Sequence, residues 1–165
     1  MPGRSVYTLP YIAVNIDNTL AKTSLAGDVI PADLTEEFYL EHLQELYFKT
    51  EPYPGAVETM NRIAQRCNLV YTTARPKVAG FITLRWLLIN GFPDGSLTFI
   101  PPQERYFPNS AGVIDDDPRV PALYPPEWID RLYAMAQPYN KTVRVHRFTD
   151  WSGFLDMLNS AAHEK

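Results

Sequence analysis

The sequence has little cysteine, no excess of positive charge and no long apolar run, and each shortage excludes a class of protein. A single cysteine, Cys67, allows neither a disulfide within the chain nor a zinc site built on cysteines. The formal net charge of −4 argues against a surface that holds duplex nucleic acid through its phosphates. No segment approaches the about 20 apolar residues of a membrane span, and residues 1–10 lack the pattern of a signal peptide. We therefore expect a soluble, cytoplasmic protein that has no membrane partner.

The composition is that of one folded domain. The chain has 165 residues, of which 45% are hydrophobic and 13% aromatic, enough to bury a sizeable core. We therefore expect a single domain over residues 1–165.

Short apolar runs that end in polar residues predict the strands of a parallel sheet. The stronger runs cover residues 11–16, 69–73 and 111–114, and weaker patterns at 97–100 and 131–136 indicate two further strands. The stronger runs have the length and composition of strands buried on both faces. Because ligands of such sheets bind beyond the carboxyl ends of the strands, the polar residues that follow the strands should line one crevice.

Helical spacing between these runs predicts an α/β fold. Apolar residues recur at intervals of three or four in three segments: Val57, Met60, Ile63 and Ala64; Phe81, Ile82, Trp86 and Ile89; and Phe154, Leu155 and Leu158. Strands that alternate with helices indicate a three-layer, Rossmann-like parallel sheet with helices on both faces. Residues 101–126 are rich in proline, which favours loops over a long helix.

Residues 21–54 interrupt the alternation and predict a small helical cap inserted after the first strand. Asp33 and Glu36 have the spacing of a capping box, which marks the start of a helix. Pro52, Pro54 and Gly55 mark the return of the chain to the core. We therefore expect the insertion to cover the crevice.

The residues that follow the first strand carry the most informative motif. The segment 15–20 reads Asn-Ile-Asp-Asn-Thr-Leu. It resembles the first motif of the haloacid dehalogenase superfamily, Asp-x-Asp-x-Thr, at every position except the first. By itself, a segment this short is equally typical of a turn after a core strand.

The resemblance implies catalytic roles for two residues of this segment. In that superfamily the first aspartate attacks phosphorus and binds Mg²⁺, and the second protonates the leaving group and then activates water. Asn15 stands at the nucleophile position and Asp17 at the general acid/base position. An amide has neither the charge nor the nucleophilic oxygen of a carboxylate, so we expect Asn15 to make this form inactive or nearly so.

Two later segments resemble further motifs of the superfamily. Thr73, at the end of the second strand, matches the hydroxyl residue that holds phosphoryl oxygens together with nearby backbone N–H groups, here that of Ala74. Asp115 and Asp116, followed by Asp117, match the acidic pair. Three consecutive acids repel one another unless a cation or hydrogen-bond donors lie nearby, which favours a metal site over a solvated turn.

The resemblance implies Mg²⁺ as the cofactor. The expected ligands are Asn15, the backbone carbonyl of Asp17 and the carboxylate of Asp115, with Asp116 in support. On this pattern Mg²⁺ affinity should depend on Asp115 more than on Asp117.

The third motif, a lysine shortly before the acidic pair, is missing. No lysine lies between Lys77 and Asp115. Either Arg105 or Lys77 could supply a phosphate-binding cation in its place, and for both the alternative is an ordinary surface charge. The sequence leaves this choice open.

The C-terminal part of the chain resembles the 5'(3')-deoxyribonucleotidase branch of the superfamily. The resemblance rests on residues 137–140 and 144–151 and on the small cap. It implies a small phosphorylated substrate, a nucleoside monophosphate. Packing and turn formation are the alternative roles for the polar and aromatic residues of these segments: Tyr139, Asn140 and Trp151. The cap carries aromatic residues that could stack on a base or pack against the core: Phe38, Tyr39, Tyr47 and Phe48.

Two functions therefore follow from the sequence. The first is a Mg²⁺-dependent phosphomonoester hydrolase that works through an aspartyl-phosphate once an aspartate replaces Asn15. The second is a binding module that holds a phosphorylated ligand or a protein partner without turnover. Asn15 favours the second function, and the intact acidic and hydroxyl residues favour the first. The oligomeric state stays open.

Overall fold

The centre of the molecule is a parallel β-sheet, seen in a computed structural model that describes residues 9–23 and 36–163. Its strands are β1 (Tyr11–Asn15), β2 (Asn68–Thr73), β3 (Ser96–Phe99), β4 (Gly112–Ile114), β5 (Leu132–Met135) and β6 (His146–Phe148). Among the described residues they form one six-stranded sheet in the order β3-β2-β1-β4-β5-β6, with every pair parallel. The predicted α/β fold is confirmed.

The sequence predicts the first five strands to within one residue at each end but does not predict β6. Strand β6 pairs only with β5 and lies at the edge of the sheet. It consists of His146, Arg147 and Phe148, and only Phe148 is buried. An edge strand needs no continuous apolar run, so its pattern does not stand out.

The helices of the described residues are α1 (Glu36–Leu43), α2 (Ala56–Ala64), α3 (Gly80–Ile89) and α4 (Trp151–His163). Helix α1 continues into one turn of π-helix, Gln44–Phe48. Apart from β4, the proline-rich stretch has only short 3₁₀ turns, among them Pro102–Glu104 and Pro121–Leu123, and no α-helix, as its composition predicts. No helix among the described residues is long and apolar enough to span a membrane.

Helix α3 buries Trp86 of the predicted apolar face but exposes two other residues of that face. Phe81 and Ile89 are 77% and 59% exposed, whereas Thr83, Trp86 and Leu87 are buried. The three buried residues have the spacing of one helical face. Because nearly every residue of α3 is apolar, periodicity alone could not identify the buried side.

The two faces of the sheet pack against different elements. On one face Val14 and Ile114 contact a cluster that includes Met60 of α2, Trp86 of α3 and Trp151 of α4. The opposite face packs against a smaller cluster, to which short 3₁₀ turns contribute. Its members are Ala13, Val113, Val120, Tyr124, Trp128 and Leu132. Neighbouring residues of β1 and β4 therefore point to opposite sides, as expected for strands buried on both faces.

The strand order places the candidate site beyond β1. From β1 the chain runs outward through β2 and β3 on one side, and through β4, β5 and β6 on the other. In open parallel sheets the crevice at such a change of direction is the usual ligand site. The register aligns Asn15 with Thr72 and Val14 with Ile114, so the strand ends lie side by side.

The described part of the insertion is anchored to the core at its base. The backbone N–H of Lys22 donates to Glu51 (2.8 Å), and that of Tyr53 donates to Leu20 (2.8 Å). The Trp86 indole N–H of α3 donates to the carbonyl of Thr50 at 2.7 Å. The chain thus leaves and returns along paired segments. Asp33 of the predicted capping box lies outside the described residues.

Candidate active site

Polar side chains from the ends of β1, β2 and β4 meet at one edge of the sheet. Asn15 ends β1, and its side-chain amide contacts Asp116, which follows β4, at 2.7 Å. Thr73 ends β2, and its hydroxyl lies 3.5 Å from the Asp17 carboxylate. The structure therefore brings these four residues together in the crevice that the strand order predicts.

The Asn15 amide joins two acceptor oxygens. Its Nδ2 donates to the backbone carbonyl of Asp17 at 2.8 Å and to Oδ1 of Asp116 at 2.7 Å. Asn15 is 5% exposed. These are two oxygens that a carboxylate at position 15 could not bond without a proton or a cation between them.

The Asp116 carboxylate is surrounded by donors. It accepts hydrogen bonds from Asn15, from the Thr19 hydroxyl at 2.9 Å and from the Tyr139 hydroxyl. The Asn140 amide donates to the Asp116 carbonyl at 2.9 Å. Burial raises the pKa of Asp116, although these donors act in the opposite direction. Asp116 is therefore held tightly in one orientation.

Asp115 forms a buried ion pair with Arg105. Arg105 Nη1 lies 2.9 Å from Asp115 Oδ2, and each side chain is 3% exposed. Arg105 also donates to the carbonyl of Ile100 at 3.1 Å, and Asp115 accepts from the backbone N–H of Asp117 at 3.0 Å. Of the two cations that the sequence left open, Arg105 thus lies inside the site.

The structure places the two acids in different surroundings, and which of them would bind the metal stays a prediction. Asp116, the predicted supporting ligand, contacts Asn15, whereas Asp115 is paired with Arg105. Successive side chains of an extended segment point to opposite sides, so only one of the pair can face the end of β1. Asp117 pairs with Arg119 at 2.7 Å, away from these contacts.

Asp17 is held by the guanidinium fork of Arg75. Arg75 Nη2 lies 2.6 Å from Asp17 Oδ1, and Nε lies 3.0 and 3.1 Å from the two carboxylate oxygens. The Thr23 hydroxyl also donates to Asp17, at 2.6 Å. Burial acts to raise the pKa of Asp17, but Arg75 and Thr23 hold it below its ordinary value. Asp17 is therefore ionised at neutral pH in this arrangement.

Arg75 was not predicted as a site residue. It follows β2 in a stretch that sequence reasoning treated only as a strand end. Its backbone N–H donates to the Thr73 hydroxyl (3.1 Å), Nη1 donates to Thr83 (3.1 Å), and its guanidinium lies 4.1 Å from the ring centre of Tyr47. An arginine directly after a motif residue is a signal that could have been used.

The other two predicted phosphate-binding residues, Ala74 and Lys77, are exposed to solvent. Ala74 follows Thr73 and is exposed, which leaves its surroundings open to a ligand. Lys77 is also exposed, at the first residue of the 3₁₀ turn Lys77–Ala79. Within the described ranges, no recorded hydrogen bond or ion pair joins Lys77 to the site. Its role as a phosphate-binding residue stays a prediction.

Two residues from the C-terminal part of the chain, Gln137 and Trp151, donate hydrogen bonds to the turn that follows β1. The Trp151 indole N–H donates to the carbonyl of Thr19 at 3.1 Å, and Trp151 is fully buried. The Gln137 amide donates to the carbonyl of Asn18 and to the Tyr53 hydroxyl, both at 2.9 Å. Trp151 therefore combines the packing role left open by the sequence with a contact to the first motif.

Solved structures with the same arrangement of elements carry a common description. A haloacid dehalogenase-like hydrolase from Streptococcus pneumoniae aligns with a TM-score of 0.57 at 13% identity, over 95% of this chain and 99% of that one. A Bacillus subtilis HAD-hydrolase bound to magnesium aligns with a TM-score of 0.56 at 14% identity, over 92% of this chain and 99% of that one. The chain has the haloacid dehalogenase fold.

Sequence comparison adds two relatives that share a description. A Bacillus cereus protein named "Putative nucleotidase" is 29% identical over 161 residues, which span 88% of this chain and 77% of that protein. An Oceanobacillus iheyensis protein of the same description is 40% identical over 60 residues, which span 35% of this chain and 32% of that protein. No protein-family model matches the chain. The predicted resemblance to nucleotidase-like members of the haloacid dehalogenase superfamily is confirmed.

The oxygen atoms around residue 15 fit a hard cation in one orientation of the side chain. Among the described residues, no three His, Cys, Asp or Glu side chains converge on one point. The candidate set is mixed instead, because the Asp17 carbonyl and Asp116 Oδ1 both lie within 2.8 Å of the Asn15 amide nitrogen. Rotating the amide, or replacing it with a carboxylate, would add a third oxygen, and an all-oxygen set suits Mg²⁺. The haloacid dehalogenase fold of this chain can therefore accommodate the ion.

The acidic pair predicts an unusual pH dependence for the metal-free protein. Burial, helped by the neighbouring charge of Asp116, raises the pKa of Asp115 to about 7 against the effect of Arg105. Between the unfolded value of 3.8 and about 7 the folded state holds a proton that the unfolded state has lost, so the stability contributed by this group falls as pH rises.

Thermal unfolding in a chelator from pH 5 to 8 measures this dependence. We expect the melting temperature to fall over that interval, and Asp116→Asn, which removes the neighbouring charge, to reduce the fall. If the melting temperature instead rises with pH, and by the same amount in the parent and in Asp116→Asn, Asp115 and Asp116 do not interact as buried neighbouring acids.

Proposed function

We propose that the crevice is the phosphomonoester site of a nucleotidase-type hydrolase, and that Asn15 leaves this form able to hold a phosphorylated ligand with little or no turnover. The observation that carries the proposal is the Asn15 amide nitrogen between the Asp17 carbonyl and Asp116 Oδ1. Residue 15 thus stands where a nucleophile would face a metal and a phosphoryl group, but its chemistry is that of a neutral donor.

The surrounding residues suit the binding of a phosphoryl group. The Thr73 hydroxyl ends β2 beside Asp17, where it can donate to a phosphoryl oxygen. Arg105 compensates the charge of Asp115, which limits repulsion of an anionic ligand. Mg²⁺, when held by residue 15, the Asp17 carbonyl and Asp116, would neutralise charge on the phosphoryl oxygens.

Two features account for the proposed lack of turnover. The Asn15 amide cannot form an acyl-phosphate as a carboxylate does. Asp17, the expected proton donor, is ionised and held by the Arg75 fork, and a general acid must carry its proton and reach the leaving group. Turnover would require a carboxylate at position 15, and its rate would depend on how readily Asp17 leaves Arg75.

We assign the ligand to the nucleoside monophosphates. The nucleotidase description of the relatives supports this assignment, and so does the aromatic content of the cap. Tyr47 is 1% exposed and stacks on Arg75, so this residue has the packing role that the sequence left open and does not offer a face to a base. Phe48 is partly buried against the core, and Phe38 contacts His42. The side chain of Tyr39 lies outside the described part of the cap.

A binding module without catalysis is the second candidate. It is favoured by the Asp17–Arg75 ion pair, since the buried fork closes off the proton donor independently of residue 15. Under this function the crevice would recognise a phosphorylated ligand or a phosphorylated partner and release it unchanged.

Calorimetric titration of the chain with Mg²⁺ and either nucleoside 5'-monophosphates or sugar phosphates tests the proposal. We expect the nucleotides to bind more tightly, and Thr73→Val, which keeps the shape but loses the hydroxyl, to weaken their binding about tenfold. Ser110→Ala is the matched control, because it removes a buried hydroxyl that donates to the carbonyl of Phe107. This variant should bind the nucleotides as the parent does. Tighter binding of sugar phosphates would overturn the nucleotide assignment, and equal binding by the Thr73 variant would remove Thr73 from the site.

A further inference from the structure

We propose that Arg75 is a positioning residue that ties the direction of the Asp17 carboxylate to the place of the cap, through the ring of Tyr47. The proposal rests on the proposed function for its catalytic consequence, because Asp17 is the proton donor of that function. The contacts themselves do not depend on the reaction.

All three nitrogens of the Arg75 guanidinium donate hydrogen bonds. Two nitrogens grip Asp17 and a third donates to Thr83 of α3, so the arginine is fixed at both ends of its fork. Its side chain is 1% exposed, whereas that of Asp17 is 24% exposed. Asp17 is thus the partner that has room to turn, and Arg75 sets its direction.

The cap supplies the remaining contact. Tyr47 is buried within the π-helical turn Gln44–Phe48, and its ring covers the face of the Arg75 guanidinium at 4.1 Å. A π-turn adds a residue to the helical cycle and so changes which side chains face the core, a device found often at functional sites. Without it, Tyr47 would point elsewhere on the helix.

A displacement of the π-helical turn would therefore reach Asp17 through Tyr47 and Arg75. Moving Tyr47 removes the cation–π contact, which is worth most when the pair is shielded from water as here. Arg75 could then tilt, and the Asp17 carboxylate would be free to turn toward the crevice. The neighbouring pair, Arg85 over Phe48 at 5.3 Å, joins the same π-turn to α3 without contacting Asp17.

The first test uses the chain as it exists and reads amide hydrogen exchange of residues 18–21, the turn that follows Asp17. Tyr47→Leu removes the ring, Arg75→Lys keeps the charge without the fork, and Arg85→Gln is the matched control. We expect each of the first two variants to speed exchange about tenfold, the double variant to add nothing further, and the control to have no effect. Tyr47→Phe, which keeps the ring, should retain the parent rate.

Three results would overturn the proposal: effects of the two variants that multiply in the double variant, a control as fast as Tyr47→Leu, or Arg75→Lys at the parent rate. The last result decides the matter even if Tyr47→Leu fails to fold, because Arg75→Lys leaves the cap residues intact.

The second test repeats the series in the Asn15→Asp background. We expect Tyr47→Leu and Arg75→Lys to raise kcat about tenfold with little change in KM, because each frees Asp17 from its fixed direction, and Arg85→Gln to change neither. An inactive background with coupled exchange would defeat the proposed function but support the Arg75 assignment. An active background with uncoupled exchange would defeat the Arg75 assignment alone.

Discussion

Asn15→Asp should turn the chain into a Mg²⁺-dependent phosphatase, with phosphate release at least about 10³-fold above that of the Asn15 form. Asparagine and aspartate have nearly the same shape, so the end of β1 should accept the change without repacking. The new oxygen would join the Asp17 carbonyl and Asp116 Oδ1, which already lie within 2.8 Å of the amide nitrogen. Three oxygens would then surround a cation, and one carboxylate oxygen would be free to attack phosphorus.

Phosphate release from an aryl phosphate and from nucleoside monophosphates measures the gain, with Mg²⁺ and with a chelator. Asn61→Asp is the matched control, because it adds the same charge at an exposed residue outside the site. It should release no phosphate. Activity equal in the Asn15→Asp and Asn61→Asp variants, or a folded Asn15→Asp variant that is inert on every substrate, would contradict the proposed function.

At pH 8, where Asp115 is ionised in the parent, Arg105→Leu should destabilise the protein by about 3–5 kcal/mol, since it leaves that carboxylate buried without a partner. The two side chains are each 3% exposed and 2.9 Å apart, so water cannot replace the guanidinium. Urea unfolding of the metal-free protein measures the loss. Replacing both partners, Arg105→Leu with Asp115→Leu, should be less destabilising than Arg105→Leu alone, because no unpaired charge then remains.

Further variants of Arg105 and Lys77 test which of these two cations takes the place of the missing third-motif lysine. Arg105→Lys keeps the charge but not the bond to the Ile100 carbonyl, and we expect an intermediate loss of stability. A single Arg105→Leu variant as stable as the parent would mean that the ion pair does not organise the end of β4. Lys77→Leu, at an exposed position, should leave stability unchanged.

Much of the sheet could be predicted because its strands are buried on both faces. The runs that contain Val14, Tyr71 and Val113 are continuous and apolar, and their ends were found to within one residue. Strand β6 lies at the edge and carries His146 and Arg147, so no such signal marks it. The buried face of α3 was predicted only in part, because Phe81 and Ile89 are as apolar as the residues that are buried.

The candidate site could be predicted only where its residues follow strands in a recognisable order. Asn15, Asp17, Thr73 and the acidic pair meet as expected, since strand order alone brings them together. The different contacts of Asp115 and Asp116 could not be predicted, because they depend on the side of the extended segment to which each side chain points.

Contacts between distant parts of the sequence could not be predicted for the same reason. Arg75 grips Asp17 across 58 positions of sequence, and Tyr139 reaches Asp116 across 23. Neither contact has a local pattern. Arg105 was one of two candidate cations, and only the fold showed that it is buried while Lys77 is exposed.

The most direct test of the central claim is to trap a phosphoryl group on residue 15. The variant that combines Asn15→Asp with Asp17→Asn keeps the proposed nucleophile but lacks the residue that would activate water. Incubated with Mg²⁺ and an aryl phosphate whose leaving group needs no proton, it should gain the mass of one phosphoryl group, and peptide mapping should place that group on residue 15. No mass gain in the folded variant, or a phosphoryl group on another residue, would contradict the account.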